Sequence, residues 1–143
     1  MPDVVLINAH ARHKVRKGPV IGAVDRVLRR EKRRKAKISI IVAGSRYIRS
    51  LNRTYLGHDY VTDVLSFRLE SGKNLEGEIY VNLDRARQQA RSYGVGFSDE
   101  IVRLVVHGTL HLLGYDDGTV EEAKRMRKQE DEHVAYWIRK RRT

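Results

Sequence analysis

The sequence contains no cysteine and only two prolines among its 143 residues. The absence of cysteine excludes disulfides, thiolate metal ligands and a cysteine nucleophile. Few prolines and a hydrophobic fraction of 41% are typical of a compact folded chain rather than a disordered one. This length is that of one ordinary domain, so we expect residues 1–143 to form a single α+β domain.

Long apolar segments are also missing. Near the N-terminus only residues 4–7 form a short apolar run, and Asp3 precedes it, which is unlike a signal peptide. No stretch approaches the roughly 18 apolar residues that a membrane span requires. We therefore expect a soluble, cytoplasmic protein with no membrane partner.

Positive charge predominates, with a formal net charge of +11. Basic residues concentrate in residues 29–37 and again in residues 139–142. A positive field attracts polyanions, and phosphate contacts would weaken steeply with salt. Two interpretations stay open for these segments: contact with nucleic acid, or a solvated helix face and a frayed terminus.

The pattern of apolar residues predicts a four-stranded mixed sheet packed with about five helices. Strands are predicted at residues 4–7, 38–42, 64–69 and 77–81, with a turn at residues 71–74. Helices are predicted from near Pro19, after a Ser45 cap, after an Asn82 cap, after a Ser98 cap, and from the Thr119–Glu122 capping box. Gly57, Gly94 and Gly114 are the predicted stops of the three middle helices.

Two histidines lie four residues apart on the fourth predicted helix. This spacing puts His107 and His111 on one face, with Cβ atoms about 5–6 Å apart, so both rings can reach one ion. Gly114 can then turn the chain and return Asp116 or Asp117 toward the same face. A helical pair, a glycine turn and a third ligand form the layout of catalytic zinc sites that keep one open position.

A peptidase interpretation is weakened by the residue that follows the first histidine. HExxH metallopeptidases place a glutamate base there, whereas this chain has Gly108. Any general base must therefore come from elsewhere in the chain.

The segment HGTLHLLGYDD at residues 107–117 closely resembles the HGxLHLxGYDH signature of the YbeY endoribonucleases, the bacterial rRNA maturation factors. Three upstream segments resemble the family in the same order: LNRTY at residues 51–55, Asp59 with TDVLSF at residues 62–67, and GEI at residues 77–79. The resemblance covers roughly residues 38 to 135.

The resemblance implies a metal-dependent, single-strand-specific endoribonuclease that acts in 16S rRNA maturation and ribosome quality control. It implies one zinc ion per chain, held on a zincin-like helix by His107, His111 and Asp117, with metal-activated water attacking the RNA phosphodiester. The implied partner is rRNA or the small ribosomal subunit, and no DNA partner is expected. The alternative is a ribosome-binding or RNA-binding assembly factor whose metal site is structural or weakly active.

The chain departs from the family signature at two functional positions. Asp117 stands where the signature has histidine; a carboxylate is an acceptable zinc ligand, but two histidines and a carboxylate also suit iron(II) or another divalent metal. Asp116 is the alternative ligand, although it matches the non-ligand aspartate of the signature. Leu56 stands where the family has an RNA-binding arginine, so His58, Arg53 and Arg68 are candidate replacements by proximity in sequence.

Candidate catalytic residues are Glu78 and His58. Glu78 could accept a histidine N–H bond or serve as the base for the bound water. The remaining histidines, His10, His13 and His133, match no motif and are predicted to be surface residues. The oligomeric state is not predicted.

Overall fold

The computed structural model describes residues 1–69 and 74–142. Of the predicted turn at residues 71–74, only the last residue lies within the described part. The strands are β1 (Asp3–Asn8), β2 (Lys37–Ala43), β3 (Val64–Leu69) and β4 (Glu76–Asn82). The helices are α1 (Lys17–Arg30), α2 (Ser45–Leu56), α3 (Leu83–Tyr93), α4 (Phe97–Leu112) and α5 (Val120–Arg142).

The four strands form one sheet in the order β1-β2-β4-β3. Strand β2 pairs in parallel with β1 and β4, whereas β3 pairs antiparallel to β4. The prediction of an α+β fold with a four-stranded mixed sheet and five helices is confirmed. The two strands β1 and β3 lie at opposite edges of the sheet.

Strand alternation divides the core between the two faces of the sheet. Ile40 and Ile79 face the larger cluster, which also contains apolar residues of α1, α3, α4 and α5. Ile41 and Tyr80 face a smaller cluster that Ile48 of α2 completes. Both clusters share one sheet, and the single domain over residues 1–143 stays a prediction.

Helix starts show where sequence reasoning succeeded and where it was wrong. Asn82 accepts the Arg85 N–H as predicted, and Thr119 and Glu122 exchange the two hydrogen bonds of a capping box. The caps predicted at Ser45 and Ser98 are wrong. Helix α2 is capped one residue earlier and α4 two residues earlier, because the carbonyls of Gly44 and Gly96 accept the first helical bonds.

The replacement for the Ser45 cap comes from another helix. Asp84, in the first turn of α3, accepts the Ser45 backbone N–H at 2.9 Å. A carboxylate at a helix N-terminus satisfies an orphan N–H and meets the positive end of the helix dipole.

Within residues 1–69 and 74–142, no helix has the length and apolar character needed to cross a membrane.

Candidate metal centre and its cleft

His107, His111 and Asp117 are brought together at the C-terminal end of α4. The Nε2 atoms of His107 and His111 lie 3.7 and 3.6 Å from Oδ2 of Asp117. In a tetrahedral site with ligand distances of about 2.0–2.1 Å, two donor atoms are about 3.3–3.4 Å apart. The two histidine–aspartate distances are within a few tenths of an ångström of this spacing, and all three donor atoms lie within 4.8 Å of one another, so the group could hold one divalent ion.

Close packing of α4 against the sheet fixes the helical pair. A Cβ atom at Gly108 would lie 2.8 Å from Cγ2 of Ile79 and 2.9 Å from Oγ of Ser66. Ser66 also donates a hydrogen bond to the Gly108 carbonyl at 3.0 Å. Glycine at this position thus lets the helix approach β3 and β4, and it leaves no room for the glutamate of an HExxH peptidase.

A left-handed glycine delivers the third ligand. Gly114 has a φ of 99°, and its N–H bonds the carbonyl of His111 at 3.0 Å. Such a φ suits glycine because it lacks a Cβ atom. Tyr115 then donates from its hydroxyl to Glu31, which anchors the turn to the end of α1. Asp116 instead accepts the backbone N–H of Asp117 at 2.9 Å.

Glu130 of α5 is the residue that sequence reasoning missed. Its Oε2 atom lies 2.6 Å from Nδ1 of His107, the ring nitrogen that does not face Asp117. Burial lowers the pKa of His107, but the hydrogen bond and charge of Glu130 outweigh it and raise the pKa. A carboxylate on the second nitrogen orients a metal-binding histidine and selects its tautomer.

Arg103 holds the Glu130 carboxylate in place. Its Nη1 atom lies 3.3 Å from Oε1 of Glu130, and its Nη2 atom lies 2.9 Å from Asp131. Glu130 is only 9% exposed, so this support acts in a desolvated setting. A sequence signal existed: Met126, Glu130 and Val134 share the buried stripe of α5, which places an acid on an apolar face.

The three ligand residues open onto a cleft of about 590 Å³. Its other wall comes from residues 52–66 and includes Leu56, His58, Tyr60 and Asp63. His58 stacks on Tyr60 with ring centroids 5.3 Å apart, and the Tyr60 hydroxyl lies 3.2 Å from Nδ1 of His58. The structure thus brings His58 into the same cleft as the histidine pair.

Glu78, in contrast, lies on the other face of the sheet. Its neighbours Gly77 and Ile79 face α4, so alternation points Glu78 away, where its carboxylate hydrogen-bonds Tyr80. The prediction that Glu78 contacts a ligand histidine is therefore corrected. Glu130 makes that contact, with His107. Among the described residues that line the cleft, neither Arg53 nor Arg68 is present.

His133 is not a surface residue, contrary to the prediction from sequence. It is 4% exposed, and its Nδ1 atom lies 2.5 Å from the Arg26 guanidinium between α5 and α1. Burial, with help from Arg26 and Arg30, lowers its pKa to about 4. The buried ring is therefore neutral near pH 7 and accepts the Arg26 hydrogen bond.

The comparisons with known proteins agree with this geometry. A family model described as Endoribonuclease YbeY matches residues 7–137. The chain belongs to the YbeY family. That match includes the three ligand residues, Glu130 and both walls of the cleft.

Curated relatives that match 71–93% of this chain carry the same family name. The Endoribonuclease YbeY of Chloroherpeton thalassium is 34% identical, with 92% of this chain and 93% of the relative covered. That of Chlorobium luteolum is 38% identical over 93% of this chain and 97% of its own. That of Chlorobaculum tepidum is 45% identical over 71% of this chain and 74% of its own.

A solved structure shares the fold. The solution structure of TM1509 from Thermotoga maritima aligns with a TM-score of 0.67 and 24% identity. The alignment covers 99% of this chain and 92% of that chain. This likeness shows the fold and carries no argument about activity.

Proposed function

We propose that this chain is a metal-dependent, single-strand-specific endoribonuclease that acts in the cytoplasm on the 16S rRNA of the small ribosomal subunit. The family and the name of its curated relatives support the endoribonuclease activity. The observation that carries metal dependence is the His107, His111 and Asp117 group at the floor of an open cleft. Three protein ligands with a cleft above them are typical of a catalytic rather than a structural ion.

The chemistry of the donor set fits one zinc ion per chain, and another divalent metal is compatible with it. A bound divalent ion would supply Lewis acidity toward a phosphoryl oxygen and a water more acidic than bulk water. Glu130 holds the His107 ring so that its Nε2 atom faces the group. Asp117 adds a negative charge that a third imidazole would not add.

The wall opposite α4 supplies this chain's own contacts to substrate. His58 can accept or donate a proton and stands over the cleft beside Tyr60, whose ring offers a stacking surface to an unpaired base. Selection of single strands follows from this need for an unstacked base. Glu78 cannot fill the role of base directly, because it lies across the sheet.

Replacement of a ligand tests the proposal. His111→Ala removes one of three donors, so the variant should lose both bound zinc and cleavage of single-stranded RNA, a loss above the roughly 10–100-fold expected for an outer partner. Metal analysis of the purified protein and a gel assay with chelated and zinc-restored samples measure both. His13→Ala, on a partly exposed histidine that does not line the cleft, is the matched control.

Two results would contradict the proposal. Metal-free protein that cuts RNA at the wild-type rate would remove the metal from the reaction. Cleavage abolished equally in His13→Ala, with circular dichroism showing both variants folded, would remove the link between the ligand group and cleavage.

A second candidate function is an RNA-binding assembly factor with little or no turnover. The observation that favours it is Leu56, which is 46% exposed in the cleft wall and cannot bind phosphate. This candidate predicts tight, salt-sensitive RNA binding without a zinc-dependent product. A product that appears only on addition of zinc decides between the two functions.

A further inference from the structure

A second groove lies between α1 and α5, and it carries much of the basic surface. Its lining includes Arg26, Arg29, Arg30, Tyr136, Trp137 and Lys140, and its volume is about 400 Å³. We call it the α1/α5 groove. No described residue lines both this groove and the metal cleft.

The groove is formed because the two helices approach closely at a glycine. A Cβ atom at Gly22 would lie 2.6 Å from Cη2 of Trp137, so the indole packs directly on the α1 backbone. One helical turn further along α1, Arg26 bonds His133. The floor of the groove is therefore rigid and partly aromatic.

Cations in the groove lie over aromatic rings. The Arg26 guanidinium carbon is 3.8 Å from the Tyr136 ring centroid, and the Lys140 ammonium is 5.0 Å from the Trp137 ring. Proteins that hold single-stranded nucleic acid combine basic residues that follow the backbone with aromatic rings on which bases stack. Basic and aromatic residues both line this groove.

Cations outnumber acids in the lining of the groove. Four cations and one acid line it, and that acid, Asp25, pairs with Arg29 at 2.7 Å. His133 is neutral near pH 7, so it neither adds to nor offsets the charge of Arg26. Burial lowers the pKa of Arg26, the charges of Arg30 and Arg139 lower it further, and Glu132 offsets this only in part.

The groove and the metal cleft are formed by different elements. Helix α4 packs against both α1 and β3. Helix α1, one wall of the groove, packs on β1, whereas β3, which lines the cleft, lies at the other edge of the sheet. A ligand that occupies both sites must therefore be extended, and the cations of the groove favour a polyanion.

We propose that the α1/α5 groove is a second binding surface for single-stranded RNA, which holds the sugar-phosphate backbone of a long substrate while another part of it lies in the metal cleft. Arg30 and Lys140 contact phosphates, and an unstacked base takes the place of the Lys140 ammonium over the Trp137 ring. The identity of the polyanion as RNA rests on the proposed function, whereas the groove itself does not. An acidic protein segment is the competing ligand.

The test compares two charge-reversed variants on RNAs of two lengths. Arg30→Glu with Lys140→Glu changes the groove. Arg91→Glu with Lys128→Glu changes two exposed cations outside it and lowers the net charge equally. The RNAs are single strands of about 6 and about 30 nucleotides, since one site of this kind spans roughly 4–16 nucleotides.

We expect the groove variant to bind the long RNA about tenfold more weakly and to bind the short RNA as the wild type does. The slope of log affinity against log salt should become shallower by about 0.7 for each phosphate that the variant no longer binds. The control variant should keep its affinity for both RNAs. Arg30→Gln with Lys140→Gln repeats the test without new acids, should the first variant fold poorly.

Trp137 gives a direct readout because it is the only tryptophan of the chain. Its fluorescence should change on addition of the long RNA to zinc-free protein, and this change should be lost in the groove variant. Wild-type affinity in the groove variant, or an equal loss in the control variant, would overturn the proposal. So would polyglutamate that displaces the long RNA at equal charge concentration, which would assign the groove to an acidic protein.

Zinc-dependent cleavage of the short RNA separates the two proposals. A wild-type protein that binds the long RNA through the groove but cuts neither RNA would contradict the endonuclease function alone. A protein that cuts the short RNA while the groove variant binds the long RNA normally would contradict the second surface alone.

Discussion

The two walls of the metal cleft are built in different ways. The α4 wall belongs to the core: Val105, Val106 and Leu110 are fully buried around the ligand pair, and Gly108 fits against the sheet. The opposite wall, residues 56–60, is exposed throughout. Substitution on the first wall alters the fold and the donor set together, whereas substitution on the second leaves both intact. This difference would let the chain keep the His107, His111 and Asp117 group whatever residue stands at position 56.

Loss of the Glu130 charge should have the largest effect of the substitutions on the α4 wall, and the quantity affected is zinc affinity. Glu130→Gln keeps the size of the side chain but removes the charge that polarises and orients His107. We expect zinc affinity to fall about 10–100-fold with little change in fold. A chelator competition titration measures it. Glu121→Gln, at an exposed acid of the same helix, should keep wild-type affinity; an equal loss there would contradict the role of Glu130.

A methyl group at Gly108 tests the fit of that wall to the sheet. Gly108→Ala would place a carbon 2.8 Å from Ile79, and such overpacking costs about 1–3 kcal/mol of unfolding free energy. Urea denaturation measures the loss. Gly18→Ala is the matched control, because nothing lies within 4 Å of a Cβ atom there. Unchanged stability in Gly108→Ala would show that α4 can move away from the sheet freely.

An arginine on the exposed wall should have a smaller effect, and it should be a gain, in RNA affinity, rather than a loss. Leu56→Arg adds one phosphate contact in the cleft, so RNA affinity should rise about threefold to tenfold and the salt slope by about 0.7. Thermal stability should not change, because Leu56 is 46% exposed. Leu69→Arg is the control, with a leucine 43% exposed on β3 and outside the cleft. A similar gain at Leu69 would mean that any added cation suffices.

Substitution of Glu100, at the N-terminal end of α4, should have the smallest effect. It should change how the free energy of unfolding depends on pH. Burial raises the pKa of Glu100 to about 7 from an ordinary value of 4.5; Arg103 opposes the shift, and Asp63 and Glu130 add to it. A raised folded-state pKa means that the native chain holds this proton more tightly than the unfolded chain. Its stabilising contribution is therefore complete below pH 4.5 and is lost as pH rises to about 7.

Glu100→Gln removes this titration. The variant should gain stability relative to the wild type between pH 4.5 and 7, with a constant difference at higher pH. Urea denaturation across that range measures it. A difference that does not vary with pH would show that Glu100 stays ionised in the native chain.

Local patterns predicted the strands, the helices and the ligand pair, because each depends on spacing within a few residues. His107, His111 and the Gly114 turn lie within a single segment, and the family signature pointed to Asp117. Glu130 could not be paired with His107 from sequence, since they meet only when α5 packs on α4. The same long-range packing buries His133, and alternation along β4 decides that Glu78 faces the other side.

The hydrogen bond from Tyr115 to Glu31 and the contact of Glu130 with His107 make the ligand group a product of the whole chain. The unfolded chain has no such group, so under the proposed function zinc would bind the native state selectively and would add to its free energy of unfolding. At a free zinc concentration about 1,000 times the dissociation constant, this linkage adds about 4 kcal/mol. Zinc supply would then govern how long each molecule survives proteolysis, as well as how fast it works.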